Sequence, residues 1–382
     1  MKAQKFIVFI LLFSPFTFSL KAEEPASTLF SGQLSGWLNS SFYEDLSFTG
    51  GIRYLPELSY SKPLSGTKFL DIEISANIYG TAGLNSSDRV STGGRIKPYR
   101  MWARYATTQL DLRAGLQKIN FGSASILRPL MWFDRMDPRD PLQVTDGVWG
   151  VLGRYFFPGN TNIWIWGLWG NNDPKGWEIM GSVTDFPETG GRIQFPVPYG
   201  ETALTWHFRK ARTGNTDLIT TPAKEVAERR IAVDGKWDVT IGLWIEGVWT
   251  NMDGDMGVLA NSHILNTGAD YTFAVGNGIH LMYEHLLISA GENPFSFSDK
   301  SSFSALSASY PLGILDNMNF ILFYDWRNSA SYNFLSWQRQ WDDLTLFLMG
   351  YVNPSDYNIP LHEGENNIFS GRGIQFMLVW NH

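Results

Sequence analysis

The chain has 382 residues, a formal net charge of −7, no cysteine, and 16 Trp, 15 Tyr and 26 Phe. Without thiols it has no disulfide staples, lipidated cysteine or thiolate chemistry, and without a basic stripe it has no nucleic-acid footprint. No apolar stretch beyond Leu20 approaches the ~18 residues of a membrane-crossing helix, so the aromatic-rich remainder reads as a secreted β-protein or a transmembrane β-barrel.

At the N-terminus Lys2 and Lys5 precede an apolar run from Phe6 to Leu20, broken by Ser14 and Pro15, with small Ala22 before acidic Glu23. That pattern predicts a signal peptide over 1–22, cleaved on export, and one domain over 23–382. Eighteen segments then accept the two-residue alternation of a strand, with sixteen as the alternative count. In the first half they are 33–44, 50–62, 67–80, 95–107, 109–121, 146–157, 161–171, 190–197 and 201–211. In the second half they are 227–237, 240–251, 262–275, 278–290, 301–311, 316–327, 331–340, 343–352 and 368–381.

The connections alternate in length. Even-numbered segments end in tight turns such as Pro158-Gly159-Asn160 and Gly276-Asn277-Gly278. Most odd-numbered ones end in long connections: 81–94, 122–145, 172–189, 212–226, 252–261, 291–300 and 353–367. Short turns at one end and long loops at the other are the pattern of an all-β, antiparallel outer-membrane barrel, closed because lipid offers backbone groups no water. The faces agree: Ile241, Leu243, Ile245 and Trp249 alternate with Gly242, Trp244 and Glu246.

The last segment, "SGRGIQFMLVWNH", alternates Ile374, Phe376, Leu378 and Trp380. It resembles the C-terminal strand of bacterial outer-membrane barrels, which usually ends on an aromatic residue and which the barrel-assembly machinery reads; here Asn381 and His382 follow Trp380. "LRAGLQKINFG" and "GRYFF" are similar to porin-type barrels, including alginate-export-like ones, and the likeness extends over nearly the whole mature chain. It implies localisation in the outer membrane, contact with its lipid, passage of polar solutes and room for oligomers.

If the apolar parity faces lipid, the polar parity faces the lumen. Arg100, Arg104, Arg113, Arg154, Arg192, Arg209 and Arg230 then form a basic wall, diluted by Asp111, Glu201, Glu228 and Asp234. Glu246, Asp270, Glu284 and Asp325 form a more acidic one. Such a lumen orients charged solutes; the alternative is a salt-bridged polar interior.

"LRPLMWFDRMDPRDPLQVTDG" (127–147) breaks the alternation and falls in the third external loop, which in general porins folds inward and narrows the channel. Its prolines, Pro129, Pro138 and Pro141, limit its freedom, and Leu130, Met131, Trp132 and Phe133 offer an anchor. Arg128, Asp134, Arg135, Asp137, Arg139 and Asp140 supply both signs, with the aspartates expected to face the arginine wall. The alternative is an external loop closed by its own ion pairs.

The six histidines match no HExxH and the chain no GxSxG, so no enzyme, cofactor or metal is expected. The remaining enzymatic reading, a lipase with a lipid-facing His285, is weaker than that of an aromatic-belt histidine, and the loop aspartates lack EF-hand spacing. Few residues precede the first segment, which speaks against a plugged energy-coupled transporter. The expectation is an outer-membrane channel for polar or charged solutes, with a non-conducting receptor, adhesin or scaffold as the alternative.

Overall fold

A computed structural model describes residues 26–42, 47–84, 90–213, 224–355 and 368–382; the expected signal peptide over 1–22 lies outside them, as do parts of four expected external connections. The first nine strands are β1 (Ser27–Ser41), β2 (Ser47–Pro63), β3 (Phe69–Leu84), β4 (Val90–Ala106), β5 (Leu110–Gln117), β6 (Val148–Phe156), β7 (Asn162–Leu168), β8 (Glu188–Val197) and β9 (Gly200–Thr213). The other nine are β10 (Lys224–Asp238), β11 (Gly242–Met252), β12 (Asn261–Phe273), β13 (Ile279–Gly291), β14 (Asp299–Pro311), β15 (Asp316–Asp325), β16 (Ala330–Gln340), β17 (Leu344–Val352) and β18 (Arg372–Asn381). Each pairs antiparallel with its chain neighbours, and β1 pairs with β18, Leu38 opposite Phe376, so the sheet closes without an edge.

Alternation decides which side of the wall each residue takes. Along β9, Ala203, Thr205, His207 and Arg209 are buried while Leu204 and Trp206 between them are exposed. The exterior is apolar, with Ile165 63 % and Val233 56 % exposed. An apolar belt of this kind suits hydrocarbon and not water. His382, which follows the expected terminal aromatic, continues that belt: its ring lies 4.9 Å from Trp380 and 5.8 Å from Tyr54.

Strand ends differ from expectation where backbone pairing overrides composition. The Ser-, Thr- and Gly-rich start of β4 looked like loop, yet Val90 already pairs with Leu84. β4 also carries one extra residue, Tyr99, between Pro98 opposite Ala76 and Arg100 opposite Ser75; proline cannot donate to the ladder, and the bulge forms there. β5 stops at Gln117 rather than 121. Beyond it the chain leaves the wall, and Ile119 and Phe121 join a core with Leu130, Trp132, Trp166 and Leu286. That core lies within the barrel: the third loop supplies one side and the inner wall the other.

Candidate functional site

The connection 118–147 crosses the barrel interior, and two wall carboxylates hold its backbone. Glu246 on β11 accepts the N–H groups of Ser123, Ala124 (2.7 Å) and Leu130 (3.4 Å). Glu284 on β13 accepts those of Ser125 (2.7 Å), Ile126 (3.2 Å) and Leu127 (2.5 Å). Asn266 on β12 donates to the Leu127 carbonyl and, at 3.3 Å, to Glu284. Buried N–H groups need acceptors, and consecutive amides in a tight bend form a concave anion site. The bend begins at Gly122, with φ of 98°, where a Cβ would stand 2.6 Å from Glu246 Oε1.

Aromatic packing fixes the near arm. Phe121 stacks on Trp166 at 5.6 Å, and Trp132 and Phe133 meet Phe121 edge-on. The far arm reaches the wall near β16, where the Arg139 guanidinium lies 4.9 Å from the Phe369 ring and 5.7 Å from that of Phe334. The loop's charges largely pair within it: Arg128 with Asp134 at 3.5 Å and Arg139 with Asp137 at 2.7 Å. Asp140 accepts the N–H groups of Leu142 (3.0 Å) and Val144 (3.4 Å). Burial pushes its carboxyl above the usual range, although those two bonds and nearby Arg53 pull the other way. Arg135 is exposed. The loop therefore meets the acidic wall through its amides, and the aspartates expected to face the arginine wall are engaged in the loop itself.

A second inward segment, the connection 169–187, covers the first. Trp177 Nε1 donates to the Arg128 carbonyl at 2.8 Å, and a Cβ on Gly176 would overlap the Met131 oxygen. Behind them three cations face three carboxylates. Lys175 pairs with Glu178 and Glu188, Arg209 with Glu178 and Glu228, and Arg230 with Glu178 and Glu228. Trp166 Nε1 can only donate, so His207 Nδ1 accepts (3.2 Å) and its Nε2–H donates to Glu188 (3.2 Å). Glu178, Glu188 and His207 bring ligand atoms within 4.8 Å of one another, but the cations already balance these carboxylates, so a metal ion does not fit.

The charged strand residues expected to face inward have different surroundings. Arg192 pairs with Asp234 at 2.6 Å, and it, Arg209, Arg230, Glu246 and Glu284 are buried. Arg100 is buried too, donating to the Thr145 carbonyl at 2.9 Å. Arg104 joins Asp111 (3.0 Å) and Asp71 (3.4 Å). Arg113 and Arg154 are half-buried and, among the described residues, in no ion pair, each with its guanidinium 4.3 Å from an indole, Trp102 and Trp164 respectively. Asp270 is half-buried opposite Gly242, and Asp325 caps the turn after β15 by accepting the Arg327 N–H at 2.9 Å. Gly122, Asn266, Lys175, Glu178 and His207 escaped the sequence reading, because nothing local marks which segments meet inside the barrel.

Two of the cavities beside the loops border β4. One of about 380 Å³ is lined by Arg95, Lys97, Asp134, Arg135, Asp146 and Lys175 among others. The other, about 390 Å³, lies between the first strands and Leu142 and Val144, with Glu57, Ser75 and Tyr99 on its wall. Consecutive residues of β4, Pro98 and Tyr99, border one each.

On the outer face His285 Nδ1 is 2.9 Å from Ser304 Oγ, which also receives a hydrogen bond from Trp326 Nε1 (2.9 Å) and contacts the Tyr283 hydroxyl (3.1 Å). Among the described residues no carboxylate lies within ion-pair distance of His285 to orient it as a base.

A closed eighteen-stranded antiparallel barrel, apolar outside and polar within, with its longest described loops turned inward from one end, has the fold of the outer-membrane porins. No protein-family model and no curated protein matches the sequence. Solved structures do. OccAB4 of Acinetobacter baumannii is similar over 94 % of this chain and 99 % of its own at 11 % identity, TM-score 0.55. The trimer form of OmpT, an outer-membrane protein of Vibrio cholerae, aligns over 94 % and 100 % at 12 % identity, TM-score 0.53. An anion-selective porin from Comamonas acidovorans aligns over 94 % and 100 % at 12 % identity, TM-score 0.50.

Proposed function

We propose that this barrel is an outer-membrane channel for small polar and charged solutes, with the third loop as its constriction. The observation that carries the reading is the pair of cavities bordered by consecutive β4 residues, Pro98 and Tyr99, beside a loop clamped to the opposite wall. Solutes pass along the first six strands, over the loop arm bearing Asp134, Arg135 and Asp146. Arg113 and Arg154, unpaired and half-exposed, line the inner mouth with Arg104 and favour anions there. Arg192, Arg209 and Arg230 act differently, holding the opposite sector shut through their ion pairs. The Comamonas porin is anion-selective by description, so this fold accommodates such a preference. The described trimer of the Vibrio barrel supports oligomers as a further part of the proposal, and β18 remains the strand offered to the assembly machinery.

Reversal potentials in a salt gradient across planar bilayers test the reading. Wild type is expected to favour anions and the Arg113→Glu/Arg154→Glu variant to lose that preference. Liposome swelling with neutral, anionic and cationic solutes extends the test to permeation. Exclusion of every solute would favour a non-conducting receptor or scaffold.

A further inference from the structure

One groove lies outside the barrel, on its lipid-facing side. It has a volume of about 540 Å³ and sits on the outward faces of β12 to β14, at the end that carries the long loops. Its apolar floor is formed by Leu265, Leu287 and Trp326, which are 38 %, 45 % and 55 % exposed. Their inward neighbours Ile264 and Leu286 are buried, so this floor faces lipid.

The upper edge is polar and weighted toward donors. Lys300, Arg327 and His263 line it together with Ser301 and Ser302, and among the described residues no carboxylate lines the groove. Arg327 is partly neutralised by Asp299 at 2.9 Å and donates to Ser301 at 3.2 Å. Among the described residues Lys300 is in no ion pair; its ammonium lies 5.9 Å from the Phe297 ring, which itself packs 4.9 Å from the His263 ring. His263 Nδ1 is buried without a hydrogen-bond partner. An apolar floor in the hydrocarbon belt beneath a rim of donors calls for an amphipathic ligand with an anionic head.

From this charge complementarity and the groove's depth at the external rim, we infer that it binds a phosphorylated glycolipid of the outer leaflet. The acyl chains lie over Leu265, Leu287 and Trp326, and a phosphate accepts hydrogen bonds from Lys300 and Ser302. The inference does not depend on whether the barrel conducts.

Native mass spectrometry of the full barrel in detergent tests it, with bis-phosphorylated lipid A, dephosphorylated lipid A and phosphatidylglycerol as probes. Wild type is expected to retain the phosphorylated glycolipid in preference to both others. Lys300→Glu should lower that retention about fivefold or more, the contribution of one cation at an anionic lipid surface, whereas Lys236→Glu, outside the groove, should not. Unchanged retention in Lys300→Glu, or equal retention of the dephosphorylated form, would overturn the proposal. Equal retention of phosphatidylglycerol would overturn the glycolipid as occupant. Lys300→Gln, checked for wild-type heat-modifiable mobility, replaces the Glu variant if that one fails to fold.

Discussion

Glu284 sits mid-strand on β13 with no exposed surface, and its carboxylate ends the backbone N–H groups of three successive loop residues. Truncating it strands those donors in the barrel interior, at about 1–3 kcal/mol for each group left unsatisfied. Glu284→Ala should therefore free the bend, and single-channel recordings should show larger, noisier currents than wild type. Glu284→Gln keeps an acceptor of the same shape but removes the charge that strengthens the bonds, so its effect should be smaller. Equal currents in all three proteins would mean that the bend holds without this anchor.

At the scale of the element, the third loop is a strap with distinct fastenings. Its near arm is held by stacked aromatics, its bend by wall carboxylates, and its far arm by the turn that Asp140 closes. Burial raises the Asp140 pKa in the folded loop above its unfolded value. The folded loop thus binds the proton more tightly, and protection of the 140–144 turn should grow as pH falls toward the raised pKa. It should weaken as pH rises through it. Hydrogen exchange at Leu142 and Val144 across the acidic range reads this, and Asp140→Asn should flatten the profile. Stronger protection at neutral than at acidic pH would show that the hydrogen bonds to the ionised carboxylate outweigh its burial.

For the whole molecule the decisive contrast is between the two faces of one sheet. Ile165 lies at the centre of β7 with its side chain turned outward, so an arginine there is driven into hydrocarbon. Ile165→Arg should cost about 2–4 kcal/mol in denaturant unfolding from lipid vesicles. A cost near zero would place that face in water.

Eighteen strands were legible in the chain because a strand has a period of two and lipid and lumen sort its faces oppositely. The same arithmetic gave the expectation that Arg113, Glu246 and Glu284 face inward. The ends were less legible: β1 begins at Ser27 and β4 at Val90, in residues whose composition favours turns, because pairing with a neighbouring strand outweighs weak local preference. The composition of 127–147 marked it as unlike its surroundings, yet its prolines and alternating charges suit an external loop as well as an internal one.

Only the closed barrel decided between them. Closure sets β11 and β13 across the lumen from the end of β5 and brings Glu246 and Glu284 to the amides that follow Gly122, more than a hundred residues away in sequence. It also sets Lys175 and Glu178 of the next loop over Arg209 and Arg230. Periodicity is a local property, and one strand's residues suffice to express it. The occupancy of the lumen depends on which groups meet across it, and no stretch of the chain holds both partners.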